Sequence, residues 1–146
     1  MELYHASKQI VQYPEVRKAK YTKDFSWGFY CTNNIKQAVR WANRGMGEPI
    51  INYYEYTPDK SLRILRFPEI SDEWLNFIAE CRSGKTHQYD IVEGPMANDT
   101  IWNYVNDFLT GRITRRQFWV LAEFKYPTHQ ISFHTLSAID CLTFMK

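Results

Sequence analysis

The hydrophobic pattern between Phe25 and Thr32 is typical of a half-buried β-strand, because large apolar side chains occupy every second position. The apolar positions are Phe25, Trp27 and Phe29, and the alternate positions are Ser26, Gly28 and Tyr30. One face is therefore expected to pack against a core and the other to stay open. Since Ser26 and Gly28 are small, the open face would let a flat ligand approach the backbone beside Tyr30.

Apolar runs between turn signals predict five further strands. They span residues 3–7, 50–56, 62–67, 89–94 and 129–134. In the last of them, Ile131 and Phe133 share one face, and Gln130, Ser132 and His134 share the other. If the apolar face lies in the core, Gln130 points into a cleft on the opposite side.

A helix is predicted directly after the 25–32 strand. Asn33 or Asn34 can act as its N-cap, and Gln37 follows Asn34 by three residues. One face of this helix is apolar and carries Ile35, Ala38, Val39 and Ala42. Trp41 flanks that face, so its ring can lean over the end of the preceding strand.

Helical spacing predicts three more helices and so an α+β chain. The first follows Ser71 and stops at Gly84, the second runs from Ile101 to near Gly111, and the third spans residues 114–124. The 146 residues include five Trp, ten Tyr and nine Phe. This is enough apolar material for one domain over residues 1–146 with a sizeable core.

The net charge says little about function, because +2 is too small to indicate nucleic-acid binding by itself. Basic residues do cluster, first at Arg17, Lys18, Lys20 and Lys23 and later at Arg112, Arg115 and Arg116. Both clusters are expected to be solvated faces. Beside a nucleotide cleft, the first could instead contact pyrophosphate or an anionic acceptor.

The three cysteines, Cys31, Cys81 and Cys141, are widely spaced and odd in number. This argues against a disulfide scaffold and against a zinc module, and favours reduced thiols in a cytoplasm. The sequence predicts neither a signal peptide nor a membrane helix. We therefore expect a cytoplasmic protein without a membrane partner.

Two N-terminal motifs resemble the start of the ADP-ribosyltransferase superfamily. The first is Leu3-Tyr4-His5-Ala6-Ser7, and the second is Gly28-Phe29-Tyr30-Cys31-Thr32 followed by a helix with Trp41. The resemblance is closest to the branch with a His-Tyr-Glu triad, the poly-ADP-ribose-polymerase-like and diphtheria-toxin-like enzymes. It implies an ADP-ribosyltransferase-like split β-sheet core with flanking helices and an NAD cleft. Residues 24–32, Gln37-Ala38, Trp41-Ala42 and residues 89–99 also look like a group of small bacterial and phage proteins that are suspected toxins of this kind.

The resemblance assigns the NAD contacts. His5 would hydrogen-bond a ribose hydroxyl, the backbone of Ala6 would hold the nicotinamide amide, and Ser7 would support that turn. Ala6 stands where the family usually has Gly. Tyr30 and Trp41 could sandwich the nicotinamide, whose pyridinium charge gains about 0.5 to 2 kcal/mol on an aromatic face. The alternative is that both rings are core residues.

Gln130 falls where this branch commonly places Glu. The family's carboxylate accepts a hydrogen bond from the nicotinamide-ribose 2-hydroxyl and stabilises the developing cation. Gln130 can accept the bond but brings no charge, so Glu93 or Glu123 could supply the missing carboxylate. Asp99 is either a helix N-cap or lies with Asp90 at the cleft rim.

These expectations favour a mono-ADP-ribosyltransferase that consumes NAD, acts as a bacterial or phage toxin, and has an antitoxin partner. Nicotinamide leaves as a neutral molecule, so orientation of NAD against a macromolecular acceptor would be the main task. The alternatives are an NAD glycohydrolase on the same scaffold and a non-catalytic module that binds a nucleotide or nucleic acid. A ribonuclease that uses His5, His129 and His134 ranks last, because only His5 lies in a motif.

Overall fold

The computed structural model describes residues 1–17, 23–97, 99–122 and 129–146, without the side chains of Asp99, Thr100 and Trp102. The strands are β1 (Glu2–Ser7), β2 (Phe29–Cys31), β3 (Ile50–Tyr56), β4 (Ile64–Arg66), β5 (Ile91–Gly94), β6 (Gln130–Phe133) and β7 (Leu142–Phe144). The helices are α1 (Ile35–Ala42), α2 (Asp72–Arg82), α3 (Asp99–Leu109), α4 (Arg115–Leu121) and α5 (Leu136–Ile139). The predicted α+β class is confirmed at this level.

The strands form two sheets, which a backbone bridge joins. The first sheet has the order β1-β3-β7 and the second the order β2-β6-β5-β4. Within the second sheet, β4 and β5 run parallel, and the other pairs in both sheets are antiparallel. Tyr4 and Thr32 exchange backbone hydrogen bonds of 2.8 and 2.9 Å, which join the edge of β1 to the end of β2. Two hydrophobic clusters flank the second sheet, one with Tyr30 and Val92 and the other with Ile131 and Phe133.

Strand β2 contributes to both cores. Tyr30 packs into a cluster with Phe25 and residues of α2, α3 and α4. Phe29 and Cys31 pack on the other side, in a cluster that includes Leu3. All three residues of β2 are buried, so this strand has no open face.

The predicted open face at Ser26 and Gly28 is wrong. The strand begins only at Phe29, and residues 24–28 form a turn in which Ser26 has φ of +77°. Ser26 is buried, and a Cβ on Gly28 would lie 2.8 Å from the His134 ring. The cause is a hydrogen bond of 2.8 Å from His134 Nδ1 to the Trp27 carbonyl, which brings the imidazole against Gly28.

The predicted helix starts are confirmed at three caps. Asn34, Ser71 and Thr114 each accept a hydrogen bond from a backbone N–H in the first turn. Gly84 and Gly111 follow α2 and α3 with positive φ, as expected of helix stops. The predicted end of the last helix, Phe124, lies outside the described residues.

The predicted apolar face of α1 is wrong in part. Ala38 and Ala42 are buried, but Ile35 and Val39 are 38% and 44% exposed. Gln37 is buried in their place, because its amide pairs with the backbone of His129, the residue before β6. Helix α5 and strand β7 are additional elements, both too short for periodicity to reveal.

Two further observations concern the whole described chain. No helix within the described ranges has the length and apolar character that crossing a bilayer requires. Cys31, Cys81 and Cys141 are free and buried, and burial raises the pKa of the Cys81 thiol to about 12. Such thiols stay protonated and unreactive at neutral pH.

Candidate functional site

A cavity of about 300 Å³ opens between β2, α1, α2 and β6. We call it the Tyr30 cavity, and its lining consists of Lys23, Asp24, Tyr30, Trp41, Arg44, Arg82, Met96, Ala97 and Gln130. It brings together Tyr30, Trp41 and Gln130, although Tyr30 and Gln130 are 100 positions apart in the sequence. His5, Ala6, Ser7 and Asp90 are not part of this lining.

Tyr30 is at once a core residue and part of the cavity wall. Its side chain is 7% exposed. The hydroxyl donates to the Ser26 carbonyl at 2.6 Å and accepts from the Phe25 N–H at 2.9 Å. Burial raises the pKa of this phenol well above its usual value. The hydroxyl is thus committed to the 25–26 turn, and only the ring is available to a ligand.

Trp41 reaches the cavity from α1, which Gln37 holds against the backbone of His129, the residue before β6. The Gln37 side chain donates to the His129 carbonyl at 2.6 Å and accepts from the His129 N–H at 3.2 Å. It therefore satisfies both backbone groups of His129, as a neighbouring strand would. Trp41 itself is half-buried, so part of its ring surface remains accessible.

Gln130 faces the cavity, as its strand pattern predicts, and is 4% exposed. Its Nε2 donates to Asp24 Oδ2 at 3.0 Å and lies 3.5 Å from the Pro95 carbonyl. Because a carboxylate and a carbonyl only accept, the nitrogen must be the amide atom on this side. The amide oxygen is the atom of Gln130 suited to accept a hydrogen bond from a ligand.

Asp24 is the cleft residue that sequence reasoning missed. The residue is 3% exposed, and its carboxylate accepts four hydrogen bonds. Oδ1 accepts from Arg82 Nε at 2.9 Å and Nη2 at 2.5 Å, and Oδ2 accepts from the Ala97 N–H at 2.8 Å and from Gln130. An Asp just before an apolar run carries no local signal of these partners, which come from distant segments.

Of the two carboxylates considered from the sequence, Glu93 lies away from the Tyr30 cavity. Glu93 accepts from His129 Nε2 at 2.7 Å and pairs with Arg66 at 3.4 Å. Both partners line a different cavity of about 250 Å³ together with Glu93. The His129 contact holds the pKa of Glu93 below its usual value. Glu123 lies outside the described residues.

The charge around the Tyr30 cavity is predominantly positive. Among the described residues of the lining, Lys23, Arg44 and Arg82 carry positive charge and Asp24 carries negative charge. Partial burial and the nearby Arg82 guanidinium lower the pKa of Lys23. Its ammonium lies 5.1 Å from the centre of the Tyr30 ring. Such a site favours ligands that bring negative charge.

His5 adjoins the cavity through the backbone of Tyr30. Its Nδ1 donates to the Tyr30 carbonyl at 2.6 Å, and its ring stacks on Phe29 with centroids 4.1 Å apart. Burial is the main cause that lowers the pKa of His5 to about 4. The imidazole is therefore neutral at pH 7, with Nε2 as an acceptor for a hydroxyl.

Ala6 and Ser7 complete β1 beyond His5. Ala6 pairs with Ile51 of β3. Ser7 Oγ accepts from the Gln9 N–H at 3.2 Å, so it stabilises the turn after the strand.

Asp90 makes structural hydrogen bonds, whereas the side chain of Asp99 lies outside the described part of the chain. Asp90 accepts from the Arg63 N–H at 2.9 Å and from Thr135 Oγ1 at 2.7 Å, which ties β4 to the end of β6. These bonds lower its pKa. Asp99 is the first residue of α3.

The histidines of the ribonuclease hypothesis do not converge. His129 accepts from the Asn33 N–H at 3.1 Å and donates to Glu93. His134 bonds Trp27 and Ser132. Neither lines the Tyr30 cavity, and both imidazoles serve structural contacts.

A family model described as a protein of unknown function (DUF3990) matches residues 1–144. The chain belongs to this family. No curated protein and no solved structure matches the chain. Because the family description assigns no activity, the chemistry of the DUF3990 cleft itself must carry the functional argument.

Proposed function

We propose that the chain is a mono-ADP-ribosyltransferase that binds NAD in the Tyr30 cavity and transfers ADP-ribose to a macromolecular acceptor. One observation carries the proposal. Tyr30 of β2, Trp41 of α1 and Gln130 of β6, which the resemblance to ADP-ribosyltransferases assigns to one NAD site, line a single cavity.

The aromatic side chains of the Tyr30 cavity support a binding site for nicotinamide. The oxidised ring is a cation, and cations gain energy on the faces of Trp and Tyr. The Lys23 ammonium lies over the Tyr30 ring and marks this face as suitable for a positive group. NAD would displace that ammonium toward the phosphates.

The cavity's cations and acceptors support the rest of the dinucleotide. Lys23 and Arg44 can pair with the pyrophosphate, and Arg82, which bonds Asp24, adds positive charge nearby. A volume of about 300 Å³ is at the lower end for ligand pockets. We therefore expect the nicotinamide riboside to lie inside and the adenylate to lie at the mouth, with His5 Nε2 accepting from a ribose hydroxyl.

The reaction requires little chemistry from the protein. The glycosidic C–N bond breaks, its electrons stay with nicotinamide, and the acceptor's electron pair forms the new bond to the anomeric carbon. The acceptor's proton passes to water. Gln130 would accept a hydrogen bond from the 2-hydroxyl, and orientation supplies most of the acceleration.

Incubation with NAD labelled on the adenylate tests the proposal, with and without a cell lysate. Label on a macromolecule supports the transferase, and free ADP-ribose supports the glycohydrolase. Intact NAD favours the binding module, the alternative that the uncharged Gln130 also favours. The matched variants are Trp41→Ala, which should lose NAD use, and Lys36→Ala on the exposed side of α1, which should keep it.

The resemblance to suspected toxins extends the proposal. The chain would act in a bacterial cytoplasm and be neutralised by an antitoxin protein. Expression that arrests growth in the wild type and not in Trp41→Ala would support this part.

A further inference from the structure

The polar centre of the Tyr30 cavity is a cluster of four residues that we call the Asp24 cluster: Asp24, Arg82, Ala97 and Gln130. It joins the turn before β2, the end of α2, the segment after β5 and the start of β6. Asp24 and Gln130 are both nine-tenths buried or more. The four described hydrogen bonds among these residues converge on the Asp24 carboxylate.

This geometry gives a physical reason for Gln at position 130. A Glu there would place a second carboxylate where the amide nitrogen now lies, 3.0 Å from Asp24 Oδ2. Two buried carboxylates at that separation repel, and one of them must hold a proton. The amide instead donates to Asp24, and this contact fixes which end of Gln130 faces the ligand.

We propose that Asp24, held by Arg82, positions Gln130 so that its amide oxygen accepts the ribose 2-hydroxyl of NAD. The pair would together perform the task of a single glutamate on β6: Gln130 makes the contact, and Asp24 supplies the orientation. This inference rests on the proposed function. Asp24 acts through Gln130 and is a positioning residue.

Three variants separate this role from a purely structural one. Asp24→Asn removes the charge that orients Gln130, and Gln130→Glu places like charges together. The double variant Asp24→Asn/Gln130→Glu restores the formal charge and the hydrogen bond, now donated from position 24 to position 130. Asp140→Asn, at an exposed site after α5, is the matched control.

We expect each single variant to lower kcat for NAD consumption by at least about tenfold, the lower side of what one preorganised contact contributes. KM should change by less than about threefold, because the aromatic and cationic contacts remain. The double variant should recover at least about tenfold over the weaker single variant. Asp140→Asn should match the wild type.

The pH profile supplies a second readout. In Gln130→Glu the introduced carboxyl faces Asp24, with Arg82, Lys23 and Arg44 as the cations around it. Repulsion from Asp24 should raise the pKa of the introduced carboxyl above that of a free glutamate, and turnover should follow its titration. The double variant should lack this titration.

The outcomes are distinguishable. A wild type that leaves NAD intact overturns the proposed function and the inference with it. An active wild type with a fully active Asp24→Asn, or a double variant as weak as the product of the singles, overturns the inference alone. If Asp24→Asn does not fold, the pH profile of Gln130→Glu against that of the wild type decides the question, and a turnover of Gln130→Glu that does not follow a raised carboxyl pKa overturns the inference.

Discussion

The imidazole Nδ1 of His5 donates to the backbone carbonyl of Tyr30 across 2.6 Å and thereby links the edge strands of the two sheets. The link fixes the tautomer, because a carbonyl can only accept and Nδ1 must carry the proton. The other ring nitrogen is then an acceptor at neutral pH. His5 is thus suited to receive a hydrogen bond from a ligand hydroxyl.

NAD affinity should be insensitive to pH between 7 and about 5, since the pKa of His5 is lowered to about 4. Below that range, the imidazole gains a proton at Nε2 and can no longer accept. Calorimetric titration of NAD at stepped pH values measures this, with His5→Ala as the pH-independent control. A midpoint near the ordinary histidine value of 6.5 would contradict the assignment.

Fold stability should fall as the pH drops from about 6.5 toward 4. The pKa of both His5 and His134 is lowered to about 4, and the pKa of His87 is also lowered, mainly by burial. Between these values the unfolded chain binds more protons than the folded one, so stability rises with pH across the window. Each group contributes a slope of at most about 1.4 kcal/mol per pH unit.

Urea unfolding at pH 7, 6 and 5 measures that slope. His134→Gln removes one of the titrating groups, so its stability should depend less steeply on pH than that of the wild type. Equal slopes in the two proteins would show that His134 keeps a normal pKa in the folded chain.

Trp41 and Tyr30 should respond differently to substitution. Trp41 is half-buried, so Trp41→Ala should weaken NAD binding about tenfold through the lost stack while folding is largely kept. Tyr30→Phe keeps the ring but leaves the Phe25 N–H and the Ser26 carbonyl without the hydroxyl. This should cost about 1 to 3 kcal/mol of stability.

Parallel calorimetry with NAD and thermal unfolding of both variants separate the two effects. If Trp41→Ala loses stability in proportion to its loss of binding, Trp41 is a core residue and the proposed stacking of its ring on nicotinamide is wrong.

Gln37→Ala should destabilise the fold by about 2 kcal/mol or more, because both backbone groups of His129 lose their partner. Lys36→Ala, on the exposed side of the same helix, should stay within about 0.5 kcal/mol of the wild type. Chemical denaturation measures both. A Gln37→Ala protein as stable as Lys36→Ala would mean that water replaces the amide at no cost.

Much of the secondary structure was predictable from the sequence. The caps Asn34, Ser71 and Thr114 predict where their helices start, because their side chains accept hydrogen bonds from N–H groups only three residues away. Strand β3 was expected at the residues where it occurs, and the face of β6 that carries Gln130 follows from its alternation. The ADP-ribosyltransferase-like character of the core stays a prediction.

The burial of both faces of β2 was not predictable, although the hydrophobic alternation over residues 25–32 is as clear as that of β6. Alternation marks two faces but does not say what covers each of them. His134, more than 100 positions away in the chain, fills the space over Gly28. Both faces of β2, which begins at the next residue, are buried as well.

By itself, the sequence determined the local elements and the chemical types at the cleft, because caps, turns and side-chain periodicity act within a few residues. Only the tertiary structure decided that Asp24 meets Gln130, since these residues are 106 positions apart and neither carries a local sign of the other. It also decided that Gln37 holds α1 against the backbone of His129 and that Glu93 faces another cavity. The physical reason is that a buried polar group must find a partner wherever the fold offers one. That choice depends on how the two sheets and their helices pack.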